Sequence, residues 1–386
     1  MINKSGAAIR PSSYRSRQIA CQREVRSMTS SIEELIAGWD GEGVVSHYDA
    51  EHGAWMFIGV HSTRLGPACG GTRMRVYDTP ADGLSDAMRL AAGMTFKCAV
   101  AGLPTGGGKA VLAVPELPVG ADRQDLLHRY GDLVEMLRGT YRTGPDMNTN
   151  GPDMDVIGER TAYAFGRSSG NGGRGSSGPD TAVGVWHGIR AAVAHAAGSA
   201  ELTDRTVLVQ GVGGVGGELV ELLVKDGARV AVSDLDGERV ADLQQRFGVM
   251  AVPAGAVVDT DCDVYAPCAT GAVLCAETIP QLRCRIVAGA ANNQLATPAD
   301  AARLRAAGIL YAPDFVINAG GALHLIGLEL LGWSDATLAD RLAGIGTTLT
   351  EIFTHADAQG TTTEEAAEAV ALVRLDGGPA GSRPAG

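Results

Sequence analysis

An apolar run at Val207, Leu208 and Val209 leads into a turn reading Gly211-Val212-Gly213-Gly214-Val215-Gly216, and an amphipathic stretch over 219–224 follows directly. No other feature constrains the fold as strongly. Strand, glycine turn and helix in this order form the first half of a parallel βαβ unit. Gly211 permits the tight turn, Gly213 lets bare backbone approach a pyrophosphate, and Gly216 lets helix and strand pack closely. Gly214 and Val215 belong to the same site, where the helix N-terminus attracts anionic phosphates. A second apolar strand then ends in Asp234, whose carboxylate would bond ribose hydroxyls and repel a 2′-phosphate. These residues predict NAD as cofactor, with a ligand-free strand-to-helix turn as the alternative.

Around this motif the chain alternates between strand and helix signals. The spacing predicts strands over 206–212 and 229–234 and helices over 182–197, 217–226 and 237–247, a rhythm that continues to about residue 317. That is the pattern of a doubly wound, Rossmann-type parallel sheet. The N-terminal part is mixed α/β. It has a hairpin over 44–60, helices over 81–93 and 122–138, and an apolar, glycine-rich 97–114 read as strand, loop, strand. Between the two parts lies GRSSGNGGRGSSG (166–178), a loop by composition. The expected organisation is a disordered basic tail (1–27), a substrate domain (28–170), a dinucleotide domain (181–325), C-terminal helices packing back on the first domain (326–375), and a disordered end (376–386). A cleft between the two domains would hold the reactants. Thr362 with Glu365 makes a capping box for the last helix.

Two lysines stand in apolar surroundings, Lys97 in MTFKCAV and Lys109 in LPTGGGKAV. A buried ammonium is costly, so such lysines suit acid–base work near neutral pH. Gly106, Gly107 and Gly108 would bring bare backbone close to a ligand, but a phosphate loop needs GxxxxGK[ST] and here Ala110 follows the lysine. In TGPDMNTN (143–150), Gly144 and Pro145 form a turn that aims Asp146. Two cations and a carboxylate suit an amino acid substrate. A solvated turn lysine and a capping aspartate remain the plain alternatives, because spacing alone does not bring the three together.

Composition narrows the function classes. A net charge of −12 argues against nucleic acid or an anionic membrane as the main partner. Residues 1–27 run the other way, with six basic residues against Glu24, but lack the apolar core of a signal peptide; Met28 is an alternative start. No stretch approaches the ~18 apolar residues of a membrane span. Seven scattered cysteines, without a CxxC pair or a histidine at metal spacing, read as reduced thiols in a cytoplasmic protein with no metal.

Seven stretches together carry a resemblance: LGPACGGTRMR (65–75), MTFKCAVAGLPTGGGKAV (94–111), TGPDMNTN (143–150), QGVGGVGG (210–217), CDVYAPCATGAV (262–273), VAGAANNQL (287–295) and YAPDFVINAGG (311–321). The chain resembles the amino acid dehydrogenases acting on leucine, valine and phenylalanine, relatives of glutamate dehydrogenase, over nearly its whole length. The resemblance implies NAD-dependent deamination of an L-amino acid to a 2-oxo acid and ammonia by a homo-oligomer. It implies that Lys97 binds the substrate carboxylate, Lys109 activates water and Asp146 handles the proton of the amino group. Asn292 would help hold substrate beside the cofactor. Ala269 and Thr270 would line the nicotinamide side, and Thr181 would lie near the cofactor.

Resemblance also bears on the side chain accepted. Gly144 and the small Ala322 look most like the phenylalanine enzymes, since removing a methyl beside the pocket makes room for a ring. Leu325, Pro145, Gly70 and Gly71 would line the same pocket. Cys69 departs from the expected alanine or leucine, and leaves open an indole or an aliphatic chain. Phenylalanine is therefore the expected substrate, with a branched-chain amino acid or tryptophan as the alternatives. A non-catalytic NAD-binding regulator is the rival from another class.

Overall fold

The computed structural model describes residues 32–377, so the basic tail and residues 378–386 lie outside the described residues. The chain divides into two compact units. The first runs up to Ser177 and adds Gly321–Arg341 and Glu368 onward; the second comprises Gly178–Gly320 and Leu342–Ala367.

In the first unit, β1 (Gly43–Asp49) and β2 (Ala54–Ser62) form an antiparallel hairpin with Asp49 opposite Ala54. Its turn is held by Asp49 Oδ1, which accepts from the His52 amide at 3.0 Å. β3 (Ala68–Arg75), β4 (Gly106–Ala113) and β5 (Tyr141–Pro145) complete a mixed sheet in the order β1-β2-β4-β3-β5. Helices α1 (Pro80–Val100) and α2 (Gly120–Met136) cover opposite faces. Ala110 and Leu112 of β4 pack with Leu126, Leu127 and Tyr130 of α2. Val111 and Ala113 pack with Leu84, Ala87 and Met88 of α1. Side chains alternate along a strand, so Lys109 shares the α1 face with Val111. Arg73, opposite Val111 on β3, shares it too.

Here the structure corrects the expected strand, loop, strand over 97–114. Helix α1 continues to Val100, so Lys97 stands on a helix, and Gly106, Gly107 and Gly108 open a strand rather than forming a loop. A capping box between Thr79 and Asp82, with proline in the first turn, starts α1 firmly. Nothing in 94–100 breaks it, and a short apolar run does not reveal its period. Gly144 and Pro145 likewise end β5, and the turn follows them.

In the second unit six parallel strands take the order β11-β10-β9-β6-β7-β8. They are β6 (Thr206–Gln210), β7 (Arg229–Ser233), β8 (Met250–Ala251), β9 (Val264–Pro267), β10 (Ile286–Val287) and β11 (Leu310–Tyr311). The chain winds outward from β6 to β8 and then crosses to β9 and winds the other way. This is a doubly wound sheet with its switch point beside β6. Helices α3 (Gly178–Ala197), α4 (Gly216–Lys225) and α5 (Gly237–Phe247) accompany it.

The segment 326–375 does not stay together. Helix α6 (Asp335–Gln359) enters the second unit at Leu342, and Ile345 and Leu349 fill the space above Gly184 and Gly188 of α3. A Cβ on either glycine would come within 2.6 Å of Ile345 or 2.9 Å of Leu349, so the absent side chains let the helices approach closely. The last helix, α7 (Thr363–Gly377), carries the expected cap: Glu365 Oε2 accepts from the Thr362 amide at 2.8 Å. No helix among the described residues is long and apolar enough to cross a membrane. Cys69, Cys98, Cys262, Cys268 and Cys284 are free thiols.

Candidate functional site

Lys109 sits in the middle of β4, 6% exposed, with its Nζ 3.1 Å from Asp146 Oδ1. Asp146 follows β5 directly, in a turn tied to the sheet. Its amide donates to Thr149 Oγ1 at 2.9 Å, and the Thr149 hydroxyl donates to the Thr72 carbonyl at 2.6 Å. Asn148, in the left-handed region at φ 60°, donates to the Met74 carbonyl at 2.9 Å. β4 and β5 both flank β3, and this topology brings Lys109 and Asp146 together across the sequence. Lys97 is half-buried on α1, the helix that covers the same face of the sheet.

Reasoning from residues missed the third member of the cluster. Arg73 Nε donates to Asp146 Oδ2 at 2.9 Å, and its NH1 donates to Asp86 Oδ2 at 2.8 Å. Tyr77 and Arg89 close the network on Asp86, donating at 2.7 Å each to Oδ2 and Oδ1. A charged side chain amid the buried β3 pattern was the available signal. Burial drives the Lys109 amine below its ordinary range, and the Arg73 charge adds to this while Asp146 opposes it. Arg73 is thus a neighbouring cation that disfavours a charge on Lys109. For Asp146, burial favours the neutral form, yet Lys109 and Arg73 outweigh it and hold the carboxyl well below the carboxylate range.

The glycines of this unit make room for protein. A Cβ on Gly107 would stand 2.1 Å from the Thr95 amide nitrogen, and one on Gly106 1.9 Å from the Ser62 carbonyl oxygen. On Gly70 it would strike the Gly108 carbonyl oxygen at 1.7 Å, and on Gly71 it would lie 2.8 Å from Asp146 Cβ. Gly144 faces the ring of Phe165, whose Cε2 lies 2.5 Å from its virtual Cβ. The Phe165 ring therefore stands where a side chain at 144 would lie. Cys69 is fully buried, its thiol pushed up to about 12 by that burial. Pro145 packs on Gly166, as does Leu325. Ala322 and Leu325 are half-buried, one turn apart, where the helix Gly320–His324 widens into a π-helical turn.

In the second unit the glycine turn has the opposite character. Gly211, at φ 92°, lies under Ala269, and Gly216 lies against the Gly211 carbonyl, where a Cβ would come within 1.9 Å. Gly214, by contrast, has nothing within 4 Å of its virtual Cβ, and Gly213 has only the Arg239 guanidinium at 3.4 Å. Val215 begins α4 without a side-chain cap, leaving helix amides for an outside acceptor. Asp234 accepts from the amides of Val212 at 2.7 Å and Asp236 at 2.9 Å, and Arg239, which sequence reasoning passed over, pairs with Asp236 at 3.0 Å. Ala269 and Thr270 are exposed beside the turn, and Thr181 is buried on α3. Asn292 Oδ1 accepts from Asn318 Nδ2 at 2.8 Å, while Asn318 Oδ1 is buried without a hydrogen-bond partner. An open bare-backbone cradle, uncapped helix amides and an orphaned acceptor fit a dinucleotide.

Comparison with known proteins agrees with both halves. Residues 49–163 match the family model "Glu/Leu/Phe/Val dehydrogenase, dimerisation domain", and residues 236–377 match "Glutamate/Leucine/Phenylalanine/Valine dehydrogenase". Leucine dehydrogenase of Bacillus cereus is 39% identical over 352 residues, covering 90% of this chain and 94% of that enzyme. Valine dehydrogenase of Streptomyces albus is 42% identical over 341 residues, covering 86% and 92%. Among solved structures, L-tryptophan dehydrogenase from Nostoc punctiforme aligns with a TM-score of 0.78 at 36% identity, covering 90% of this chain and 99% of that one. By these matches the chain belongs to the glutamate/leucine/phenylalanine/valine dehydrogenase family, oxidoreductases that act on amino acids with a nicotinamide cofactor.

Proposed function

We propose that this protein catalyses the reversible NAD-dependent oxidative deamination of an apolar L-amino acid to its 2-oxo acid and ammonia. The buried Lys109–Asp146 pair, 3.1 Å apart, carries this reading. When bound, the nicotinamide supplies the acceptor for the hydride that leaves the α-carbon. Lys97 binds the substrate carboxylate and Asn292 helps hold the substrate. Lys109, neutral at working pH, takes a proton from water as that water adds to the imino carbon. Ionised Asp146 accepts that proton from Lys109 across their 3.1 Å contact and passes it to the nitrogen as the carbon–nitrogen bond breaks and ammonia leaves. The again neutral Lys109 takes the hydroxyl proton, so that the carbonyl of the 2-oxo acid forms. The two groups start within hydrogen-bonding reach, as such a relay needs.

Gly211, Gly213, Gly214, Val215 and Gly216 receive the pyrophosphate, and Thr181, Ala269 and Thr270 flank the nicotinamide end. Asp234 presents a carboxylate beyond β7 while Arg239 is committed to Asp236, which favours NAD over NADP. The match of residues 49–163 to a dimerisation domain supports a homo-oligomer. For the side chain, the small Ala322 favours phenylalanine. Gly144 faces Phe165, so the preference rests on Ala322. One methyl is worth about 1–3 kcal/mol of discrimination, so activity should extend to leucine, valine and tryptophan.

The test is to incubate the protein with each of these amino acids and with glutamate, supplying NAD or NADP at about pH 10, where the substrate amine is neutral. Reduced cofactor, 2-oxo acid and ammonia should form in equal amounts from the apolar substrates with NAD. Turnover of glutamate alone would sink the substrate class, and equal rates with NADP would sink the Asp234 argument.

A further inference from the structure

Asp146 has one cation on each carboxylate oxygen. Lys109 approaches Oδ1 at 3.1 Å and Arg73 Nε donates to Oδ2 at 2.9 Å. The two cations differ in kind. Lys109 must give up its charge to accept a proton from water, whereas a guanidinium stays charged throughout. The other arm of Arg73 is gripped by Asp86, which also accepts from Tyr77 and Arg89. Arg73 and Asp86 have side chains only 10% and 12% exposed, so solvent screens their pairing weakly.

We propose that Arg73 is a positioning residue, holding the Asp146 carboxylate against Lys109 from the side opposite the lysine while Asp86, Tyr77 and Arg89 hold Arg73. The inference rests on the deamination reading above. Its consequence is electrostatic as well as steric. When Lys109 is neutral, Arg73 is the cation that still keeps Asp146 ionised. Arg73 also disfavours a charge on Lys109, while Asp146 and Asp86 favour one. Removing the guanidinium therefore raises the proton affinity of both groups. The limb on which the rate climbs as Lys109 loses its proton then moves to higher pH.

The experiment measures kcat and KM against pH for the full chain, wild type, Arg73→Gln and Arg73→Lys, with the amino acid the wild type turns over fastest. Arg73→Gln should lower kcat about 100-fold, the cost of a misplaced catalytic group, with KM within about threefold and the limb at higher pH. Arg73→Lys keeps the charge and loses the fork. Its limb should return to the wild-type position, with kcat within about tenfold of wild type. If Arg73→Gln does not fold, Arg73→Lys decides alone: the stated result supports the assignment, and a moved limb or a 100-fold loss overturns it. Wild-type kcat and limb in Arg73→Gln would overturn the assignment while leaving deamination intact. A loss in both variants with an unmoved limb, as a purely structural role gives, would overturn it too. Absence of wild-type turnover with any amino acid would sink the deamination reading first, and this inference with it.

Discussion

The glycines of the catalytic sheet and those of the dinucleotide turn look alike in sequence and do opposite work. Around Lys109 and Asp146 they are places where protein already fills the missing side chain: Thr95 against Gly107, the Gly108 carbonyl against Gly70, Phe165 against Gly144. In the turn after β6, Gly213 and Gly214 keep nearly open space above bare backbone. Glycine density therefore marks close approach without saying what approaches. The first unit spends its glycines on holding charged side chains in register, and the second leaves the two in its cradle for a ligand.

Single added methyls test that contrast. Gly107→Ala should have the largest effect. Its Cβ meets the backbone of α1, which cannot yield without moving Lys97 and Thr95, so a loss of about 3 kcal/mol or more in denaturant unfolding is expected. Wild-type stability would show that the helix slides freely. Gly144→Ala comes next, at about 1–3 kcal/mol, because the Phe165 ring must shift. The ratio of phenylalanine to leucine turnover should stay near wild type. A switch toward leucine without loss of stability would place Gly144 against the substrate side chain. Gly214→Ala should be smallest for the fold, leaving thermal unfolding unchanged while weakening NADH binding about tenfold in a fluorescence titration, or ~1.4 kcal/mol. Unaltered NADH affinity would remove that glycine from the cradle.

The same contrast explains what could be read from the residues. The dinucleotide turn is local: fingerprint, helix start and acidic residue fall within 211–234, and each lies where its spacing predicts. The hairpin at Asp49–Ala54 and the Thr362–Glu365 cap are local in the same way. The catalytic cluster is not. Arg73, Asp86, Lys109 and Asp146 come from two strands, a helix and a turn, joined only because β3 lies between β4 and β5. Arg73 is not distinguished by its sequence neighbours for that reason, although it lies within LGPACGGTRMR. Lys97 was placed on a strand because seven apolar-rich residues at the end of a helix have no decisive period. The roles of these side chains were legible only through resemblance, which names positions but not the charges that surround them.

The measurement that bears most directly on the account is the initial rate of NADH formation from an apolar L-amino acid at about pH 10, wild type against Lys109→Met, with NADH binding measured in both. The account predicts turnover by the wild type and a loss of about 10³-fold or more in Lys109→Met, with NADH affinity unchanged, since the lysine belongs to the first unit and the cofactor turn to the second. A Lys109→Met rate within about tenfold of wild type would contradict it, because the buried lysine would then be structural and the water chemistry would have to lie elsewhere.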